Sequence, residues 1–291
     1  MLNQMQIVIV NFRTPDLTIR CIRSMLAVDI RIEDIVVIDN FSQDRSPERI
    51  ASTLPGVRIV EAQSNRGFAA GVNLGMLSTN ADYILVLNPD TLFLTDITKE
   101  LTRILDVDRS IGLIGLNLLN PDRTPQYSAR RFYSLADVLI RRGGLAALWP
   151  LNRLNDRHLM KREAASGRMF DADWVIGTGF AIRRSTFNAL EGMDEGYFLY
   201  MEDVDLCARV WQIGQRVVCL PSAAIIHDHM RASAKSPFSK ASRAHLTSLW
   251  RFSRKFRVPL FLANNRERIL SGAGRSFRTG KLSTSTKIYD S

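Results

Sequence analysis

Tyr83-Ile84-Leu85-Val86-Leu87-Asn88-Pro89-Asp90 is a run of five apolar residues closed by Asn-Pro-Asp. β-branched and aromatic members in so short a run read as a strand buried on both faces, the kind that fills parallel sheets of α/β domains. Pro89 has no N–H to give to a strand ladder, so the strand ends about there. Asp90 then stands just past the carboxyl end of a central strand, the edge at which open α/β sheets bind ligands. A carboxylate fixed there suits a divalent cation that keeps water and substrate phosphates among its ligands. Asn, Pro and Asp are also turn residues, and on this stretch alone the turn reading stands beside the ligand reading.

Toward the N-terminus, Gln6-Ile7-Val8-Ile9-Val10 reads as a first strand ended by Asn11. Leu17, Ile19, Cys21, Ile22, Met25 and Leu26 recur at helical spacing, and Pro15-Asp16 gives that helix an acidic first turn. Ile35-Val36-Val37-Ile38 is a second strand with Asp39-Asn40 at its end, and Val57-Arg58-Ile59-Val60 a short third. The stretch from Asn65-Arg66-Gly67-Phe68 to Gly75 reads as a turn, then a helix whose small residues permit close approach to its neighbours. Strand and helix alternate up to residue 90, which predicts a doubly wound, mostly parallel sheet. Three strands end in Asn11, Asp39-Asn40 and Asn88-Pro89-Asp90, so polar groups collect on one edge, as in a nucleotide pocket. Asn11-Phe12-Arg13-Thr14-Pro15 is no glycine-rich turn, and no G-x-x-x-x-G-K-[ST] occurs, which disfavours dinucleotide and P-loop readings.

Beyond Asp90, Ile111 to Leu119 predicts another strand, with Asn120-Pro121-Asp122 as a turn. Residues 123–170 are Arg-rich and irregular, with Gly143-Gly144 and Trp149-Pro150, and read as an inserted, partly helical flap. Trp174 to Ile182 resumes the buried pattern, and Arg183-Arg184 starts the next helix. Glu202, Asp203 and Asp205 fall in the first turn of a helix that ends near Gly214. Two readings stay open there. Carboxylates favour a helix N-terminus, so the run serves as capping. Alternatively, the lead-in of Tyr197, Phe198 and Tyr200 desolvates the carboxylates and raises their pKa values, as a general base requires. Arg216 to Pro221 is a further strand leading to Ala224-Ile225-Ile226-His227-Asp228-His229. His227 reads either as a hydrogen-bonded core histidine or, with His229, Arg231 and Lys235 nearby, as part of a metal or phosphate site.

With 291 residues, 46% of them hydrophobic, the chain has room for one large domain or two small ones with a real core. No apolar run approaches the ~18–20 residues of a membrane span. Met1-Leu2-Asn3-Gln4-Met5 lacks the basic and apolar regions of a signal peptide. Cys21, Cys207 and Cys219 show neither paired nor metal-type spacing, which points to a reducing cytoplasm. The net charge of +10 is unevenly spread. Residues 231–291 carry 14 Lys/Arg against 2 acids and residues 121–170 carry 10 against 4, whereas the remainder carries 15 against 23. Anionic partners are expected at the two basic appendages: lipid headgroups, pyrophosphate or nucleic acid.

Taken in order, Val8-Ile9-Val10-Asn11-Phe12, Val37-Ile38-Asp39-Asn40-Phe41-Ser42, Asn65 to Asn73, Leu87-Asn88-Pro89-Asp90, Gly192-Met193-Asp194-Glu195, Tyr200 to Leu206 and His227 resemble glycosyltransferase family 2. These are the inverting GT-A transferases, and the likeness is greatest to the bacterial rhamnosyltransferase-like branch, over about Ile7 to Ser233. The resemblance implies an α/β, doubly wound mixed sheet of GT-A type that binds a nucleotide-diphospho-sugar. By its pattern Asp39 meets the pyrimidine base or ribose, and Asn11, Arg66 and Asn73 line the nucleotide pocket. Arg13, Asn40, Gly67, Asn88 and Arg231 are added as donor-binding candidates. Asp90 matches the final Asp of the family's DXD motif and would hold Mg²⁺ or Mn²⁺ on the diphosphate; Asn88 stands where many relatives have its first Asp. Asp203 matches the catalytic base, with Glu202 beside it, and His227 sits where some relatives supply a metal ligand.

Residues 241–262 place Leu246, Leu249, Trp250, Phe252, Phe256 and Leu260 among Arg243, Arg251, Arg254, Lys255 and Arg257. A basic amphipathic helix with aromatic anchors reads as a membrane-surface element or as a core-packed helix with a solvated basic face. No nucleic-acid recognition motif accompanies the charge. The expected plan is a catalytic domain over 1–235, a basic helical extension over 236–270, and a disordered Ser/Thr/Gly/Lys/Arg-rich tail over 271–291. The expected activity is inverting transfer of rhamnose from dTDP-rhamnose, or of a hexose from a UDP-sugar, to a hydroxyl of a polyprenyl-diphosphate-linked or growing surface glycan. The expected place is the inner face of the plasma membrane. Two alternatives are a catalytically silent glycan- or nucleotide-binding module on the same fold, and a nucleotidyltransferase. The second lacks its glycine-rich, Lys/Arg-bearing loop after the first strand.

Overall fold

The structure, a computed structural model, describes residues 4–132, 148, 150–228, 240–259 and 266–271. The middle of the predicted flap, His229, Arg231, Lys235 and the tail after Ser271 lie outside the described residues.

The strands are β1 (Met5–Asn11), β2 (Ile35–Asp39), β3 (Arg58–Glu61), β4 (Tyr83–Leu87), β5 (Thr91–Phe93), β6 (Ile111–Leu119), β7 (Ala129–Arg130), β8 (Phe170–Asp171), β9 (Trp174–Val175), β10 (Gly179–Arg183) and β11 (Arg216–His227). The main sheet runs β3-β2-β1-β4-β10-β6-β11-β5, with β8 also paired to β11. Its first four strands are parallel. β10 then enters antiparallel between β4 and β6, so the sheet is mixed. All five residues of β4 are buried, as the opening run predicts. Alternate residues serve opposite faces: Ile84 and Val86 belong to one hydrophobic cluster, Leu85 and Leu87 to the other. Two cores on two faces are why the strands read as unbroken apolar runs.

Helices α1 (Pro15–Leu26), α2 (Ser46–Thr53), α3 (Phe68–Leu77) and α4 (Thr98–Val107) follow the early strands. On α3 the small residues matter: a Cβ on Gly75 would lie 2.3 Å from Val8 Cγ1, so only glycine lets this helix settle on β1. Downstream come α5 (Leu151–His158) and α6 (Lys161–Ala164) in the described part of the flap, then α7 (Arg184–Ala189) and α8 (Glu202–Gln212). The C-terminal helices are α9 (Lys240–Phe256) and α10 (Arg266–Ser271).

Several boundaries differ from expectation, each for a local reason. Trp174 to Ile182 is not one strand but β9 and β10, broken over residues 176–178. Arg183 closes β10 instead of opening the next helix. Residues 216–227 form one strand whose register slips between Leu220 and Ala224, where Pro221 cannot donate to the ladder. β5 carries no clear sequence signal; it is three residues long and exists because β11 pairs with it. α4 is missing from the expected elements although Ile97, Leu101, Ile104 and Leu105 recur at helical spacing.

The C-terminal extension is core-packed along one face. Leu249, Phe252 and Phe256 are buried in the same cluster as Val204 and Leu206 of α8. Lys255 Nζ reaches Asp194 at 2.7 Å and Asp205 at 2.6 Å, and Arg251 reaches Asp194 at 2.9 Å. The opposite face leaves Leu246 and Trp250 exposed, with the Arg254 guanidinium 4.8 Å above the Trp250 ring. No described helix is long and apolar enough to cross a membrane.

Candidate active site

Parallel pairing sets Asn11 beside Asp39 at the carboxyl ends of β1 and β2. Both are buried, and they meet: Asn11 Nδ2 donates to Asp39 Oδ1 at 2.7 Å. The same carboxylate accepts from the Ser42 hydroxyl at 2.6 Å and the Ser42 amide at 2.9 Å. Asn11 Oδ1 accepts from the hydroxyls of Thr14 and Thr18. Arg13, held at φ +56°, donates through Nε to the Ser42 carbonyl at 2.8 Å. This knot shapes the two turns that border the predicted nucleotide pocket.

Asn40 Nδ2 donates to the Gly67 carbonyl at 3.1 Å, while its Oδ1 is buried without a partner. Gly67 has φ +94°, and a Cβ there would stand 2.3 Å from the Phe198 carbonyl oxygen. Glycine is therefore required both by backbone angle and by the close approach of the 198–201 segment. Arg66 pairs with Glu195 at 2.7 Å. Asn73 does not open toward a nucleotide: its amide donates to the Met193 carbonyl and to Glu195 and accepts from the Met193 N–H. The expected pocket residue is instead a tether for the 192–195 segment.

A cleft of about 780 Å³ is lined by Asn88, Gln126, Arg130, Glu202, Asp203 and His227, among others. Asp90 stands next to the lining residues His227 and Asp228, because Thr91 pairs with His227 across β5 and β11 and the Asp228 amide donates to the Asp90 carbonyl at 2.8 Å. Asp90 Oδ2 lies 3.3 Å from His227 Nε2, and its Oδ1 is buried with no partner. A carboxylate with an unmet acceptor beside an imidazole nitrogen fits a divalent cation. Among the described residues, no three His, Cys, Asp or Glu side chains converge as a complete metal cage. A cation held there would take its remaining ligands from substrate or water. The three cysteines are buried and unpaired, with thiol pKa values pushed up by burial, so they offer no reactive thiolate.

Across the cleft, α8 starts after Tyr200 and Met201, both left-handed at φ +66° and +70°. Two consecutive non-glycine residues in that region store strain immediately before the acidic pair. Asp203 accepts the Gly177 N–H at 2.9 Å on Oδ2 and the Val204 N–H at 2.8 Å on Oδ1. Burial raises its pKa, while these two donors and Arg130 oppose the rise. Glu202 is buried, and its Oε2 has no partner. Burial first, and then the charge of Asp203, push Glu202 up to about 8. The charge of Asp203 favours the protonated form of Glu202, and the backbone donors favour the ionised form of Asp203.

Glu202 binds more protons folded than unfolded between its ordinary 4.5 and about 8. Its favourable contribution is therefore complete below that window and is lost as pH rises through it, at up to about 1.4 kcal/mol per pH unit. Glu202→Gln is expected to flatten this slope. Denaturant unfolding from pH 5 to 8 checks it, and parallel curves for the two proteins would contradict the assignment.

The cleft thus unites Asn88, Glu202, Asp203 and His227, with Asp90 on His227; the Asn11, Arg13, Asp39, Asn40, Arg66 and Gly67 group lies along the neighbouring strand ends. Sequence reasoning missed Gln126, 2.7 Å from His227 Nδ1, and the Gly177 amide on Asp203. A backbone N–H has no sequence signature, and Gln126 sits in a turn whose pairing depends on β11.

This mixed sheet, with an acidic helix start facing a carboxylate–histidine pair across a cleft at the strand ends, is of the GT-A class. A solved structure of GalNAc-T7 with UDP, GalNAc and Mn²⁺ shares the fold at a TM-score of 0.65 and 17% identity, over 88% of this chain and 48% of that one. The family model described as glycosyl transferase family 2 matches residues 6–190. The chain belongs to that family and is a nucleotide-sugar-dependent glycosyltransferase. It is 30% identical over 241 residues to an N-acetylglucosaminyl-diphospho-decaprenol L-rhamnosyltransferase of Mycobacterium tuberculosis, covering 78% of this chain and 76% of the relative. It is 32% identical over 180 residues to the rhamnosyltransferase WbbL of Escherichia coli, covering 61% and 63% respectively.

Proposed function

We propose that the chain transfers a sugar with inversion to a hydroxyl of a polyprenyl-diphosphate-linked or growing surface glycan, from dTDP-rhamnose in preference to a UDP-sugar. The observation that carries this reading is the Asp203 carboxylate, held by two backbone N–H groups beside the buried Glu202 and facing the cleft that His227 also lines. Asp203 takes the proton from the acceptor hydroxyl as that oxygen attacks the anomeric carbon. Its raised pKa gives it the basicity that an ordinary surface carboxylate lacks. Asp205, in the same turn, is taken up by Arg209 and Lys255, and burial favours the protonated form of Glu202, which leaves Asp203 as the acceptor that faces the cleft.

On the donor side, the Asn11–Asp39–Ser42 knot holds the turns that receive the nucleotide. The Asn40 carbonyl, buried without a partner, is the acceptor left for a ribose hydroxyl or a base N–H. Asp90 and His227 would hold Mg²⁺ or Mn²⁺ on the donor diphosphate, which when bound stabilises the charge of the leaving group. Support for the lipid-linked acceptor comes from the rhamnosyltransferase relative named above and from the exposed Leu246, Trp250 and Arg254 face of α9, which suits an anionic membrane surface. The working place is then the cytoplasmic face of the plasma membrane.

The test is thermal denaturation against a panel of nucleotide-sugars with and without Mn²⁺. A ligand at 100 times its dissociation constant adds about 2.7 kcal/mol to the folded state. dTDP-rhamnose with Mn²⁺ is expected to give the largest shift. A larger shift with a UDP-sugar moves the donor assignment, and binding without turnover on a lipid-linked acceptor favours a silent module.

A further inference from the structure

We propose that Gln126 keeps the Asp90–His227 pair open for a divalent cation by fixing which ring nitrogen of His227 carries the proton; the inference rests on the metal-assisted reading above. The orientation of the Gln126 amide follows from its neighbours. One end lies 2.8 Å from the main-chain carbonyl oxygen of His227, a group that only accepts hydrogen bonds. That end is the NH₂, and it also donates to Asn120 Oδ1 at 2.8 Å. Asn120 is oriented in turn: the Thr124 hydroxyl donates to Asp122 Oδ1 at 2.6 Å, so it accepts at 2.8 Å from Asn120 Nδ2. The other end of Gln126 is therefore the carbonyl oxygen, and it lies 2.7 Å from His227 Nδ1.

A carbonyl oxygen accepts, so in the neutral ring the proton sits on Nδ1 and the lone pair on Nε2. Nε2 is the nitrogen that faces Asp90 Oδ2 at 3.3 Å. Two lone pairs then confront each other beside an Asp90 Oδ1 that is itself buried without a partner. That arrangement is unfavourable alone and is relieved by positive charge between the two atoms, either a second ring proton or a metal cation that displaces it and that both atoms ligate. The opposite tautomer would donate Nε2–H to Asp90 and close the pair as an ordinary hydrogen bond, masking the ring's lone pair. Gln126 prevents this by holding the histidine at both its backbone carbonyl and its ring.

The fold holds Gln126 where it is needed. Its amide N–H donates to the Leu118 carbonyl at 2.9 Å, in the turn that folds back after β6. β6 is the parallel neighbour of β11, whose last residue is His227. Gln126 is thus a positioning residue reaching from the end of one strand to the end of the next.

Two readouts test the proposal. The first is the ring ¹⁵N spectrum of His227 in the metal-free protein, where the Nδ1–H tautomer is expected. Gln126→Leu, which fills the same space without polar atoms, should move the population toward Nε2–H. The second is Mn²⁺ affinity in the presence of dTDP, followed by electron paramagnetic resonance of free Mn²⁺. Gln126→Leu should weaken it by about 10–100-fold, the usual effect of removing a group that orients a metal ligand. An Nε2–H ring in the wild-type protein overturns the proposal, and so does unchanged Mn²⁺ affinity in Gln126→Leu when Asp90→Ala has lost it. A wild-type protein that binds no Mn²⁺ with dTDP, or an Asp90→Ala variant that binds it equally, removes the metal reading itself and this inference with it.

Discussion

Asp203→Asn is expected to lower turnover by about 10²–10⁴-fold, the usual contribution of a positioned general base, while leaving donor affinity near the wild-type value. The amide has nearly the shape of the carboxylate but no charge and far weaker basicity. It also meets a conflict, because Oδ1 and Oδ2 both accept backbone N–H groups, and one of the two must now face an NH₂. The N–H that loses its acceptor costs on the order of 1–3 kcal/mol of stability, so the variant should be confirmed folded before its rate is read. Titration with dTDP or UDP measures donor binding separately from turnover. In the wild-type enzyme the acid limb of kcat should lie above the ordinary carboxylate range, because burial raises Asp203. Turnover within twofold of wild type in Asp203→Asn would sink the assignment.

Asp90→Ala is expected to remove the effect of Mn²⁺ on donor binding and to lower transfer by ~10³-fold or more, since charge stabilisation by a bound cation contributes several kcal/mol. The loss should be specific. Asp90 holds β5 to β11 through its backbone carbonyl, not its side chain, so the strand pairing survives the change. Initial rates with Mn²⁺ and with EDTA give the decisive comparison. The wild-type enzyme should be sensitive to EDTA, and the variant should show the same low rate in both. A variant that transfers at the wild-type rate and remains EDTA-sensitive places the cation elsewhere.

Much of this architecture was legible in the chain because burial on both faces leaves a plain trace. Tyr83 to Leu87 could hardly be anything but a central strand, and Asp90 followed from Pro89. The acidic start at Glu202 and Asp203 was equally visible, and the choice between capping and a perturbed pair came only with the structure. Burial and a single partnerless oxygen on Glu202 are tertiary facts. β5 was illegible because three residues have no periodicity and depend on a strand more than 120 positions away. Asn73 looked like a pocket residue because its neighbours match a motif, yet its amide is engaged by Met193 and Glu195. The basic C-terminal segment left two readings open for a related reason. Counting charge along a chain cannot see that Arg251 and Lys255 have carboxylate partners some 50 to 60 positions earlier.

Those partnerships bear on how such enzymes can be recombined. Lys255 bridges Asp194 and Asp205, which flank the strained turn and the helix start bearing Asp203. Asp205 is fully enclosed and shared between Lys255 and Arg209, so removing Lys255 leaves a buried carboxylate oxygen without its cation and Arg209 as the sole partner. The C-terminal helix and the 194–205 segment are therefore one inheritable unit, although 34 residues of chain, 206–239, separate them. A chimera that takes its tail from one relative and its acidic segment from another should misalign the base even when every catalytic side chain is present.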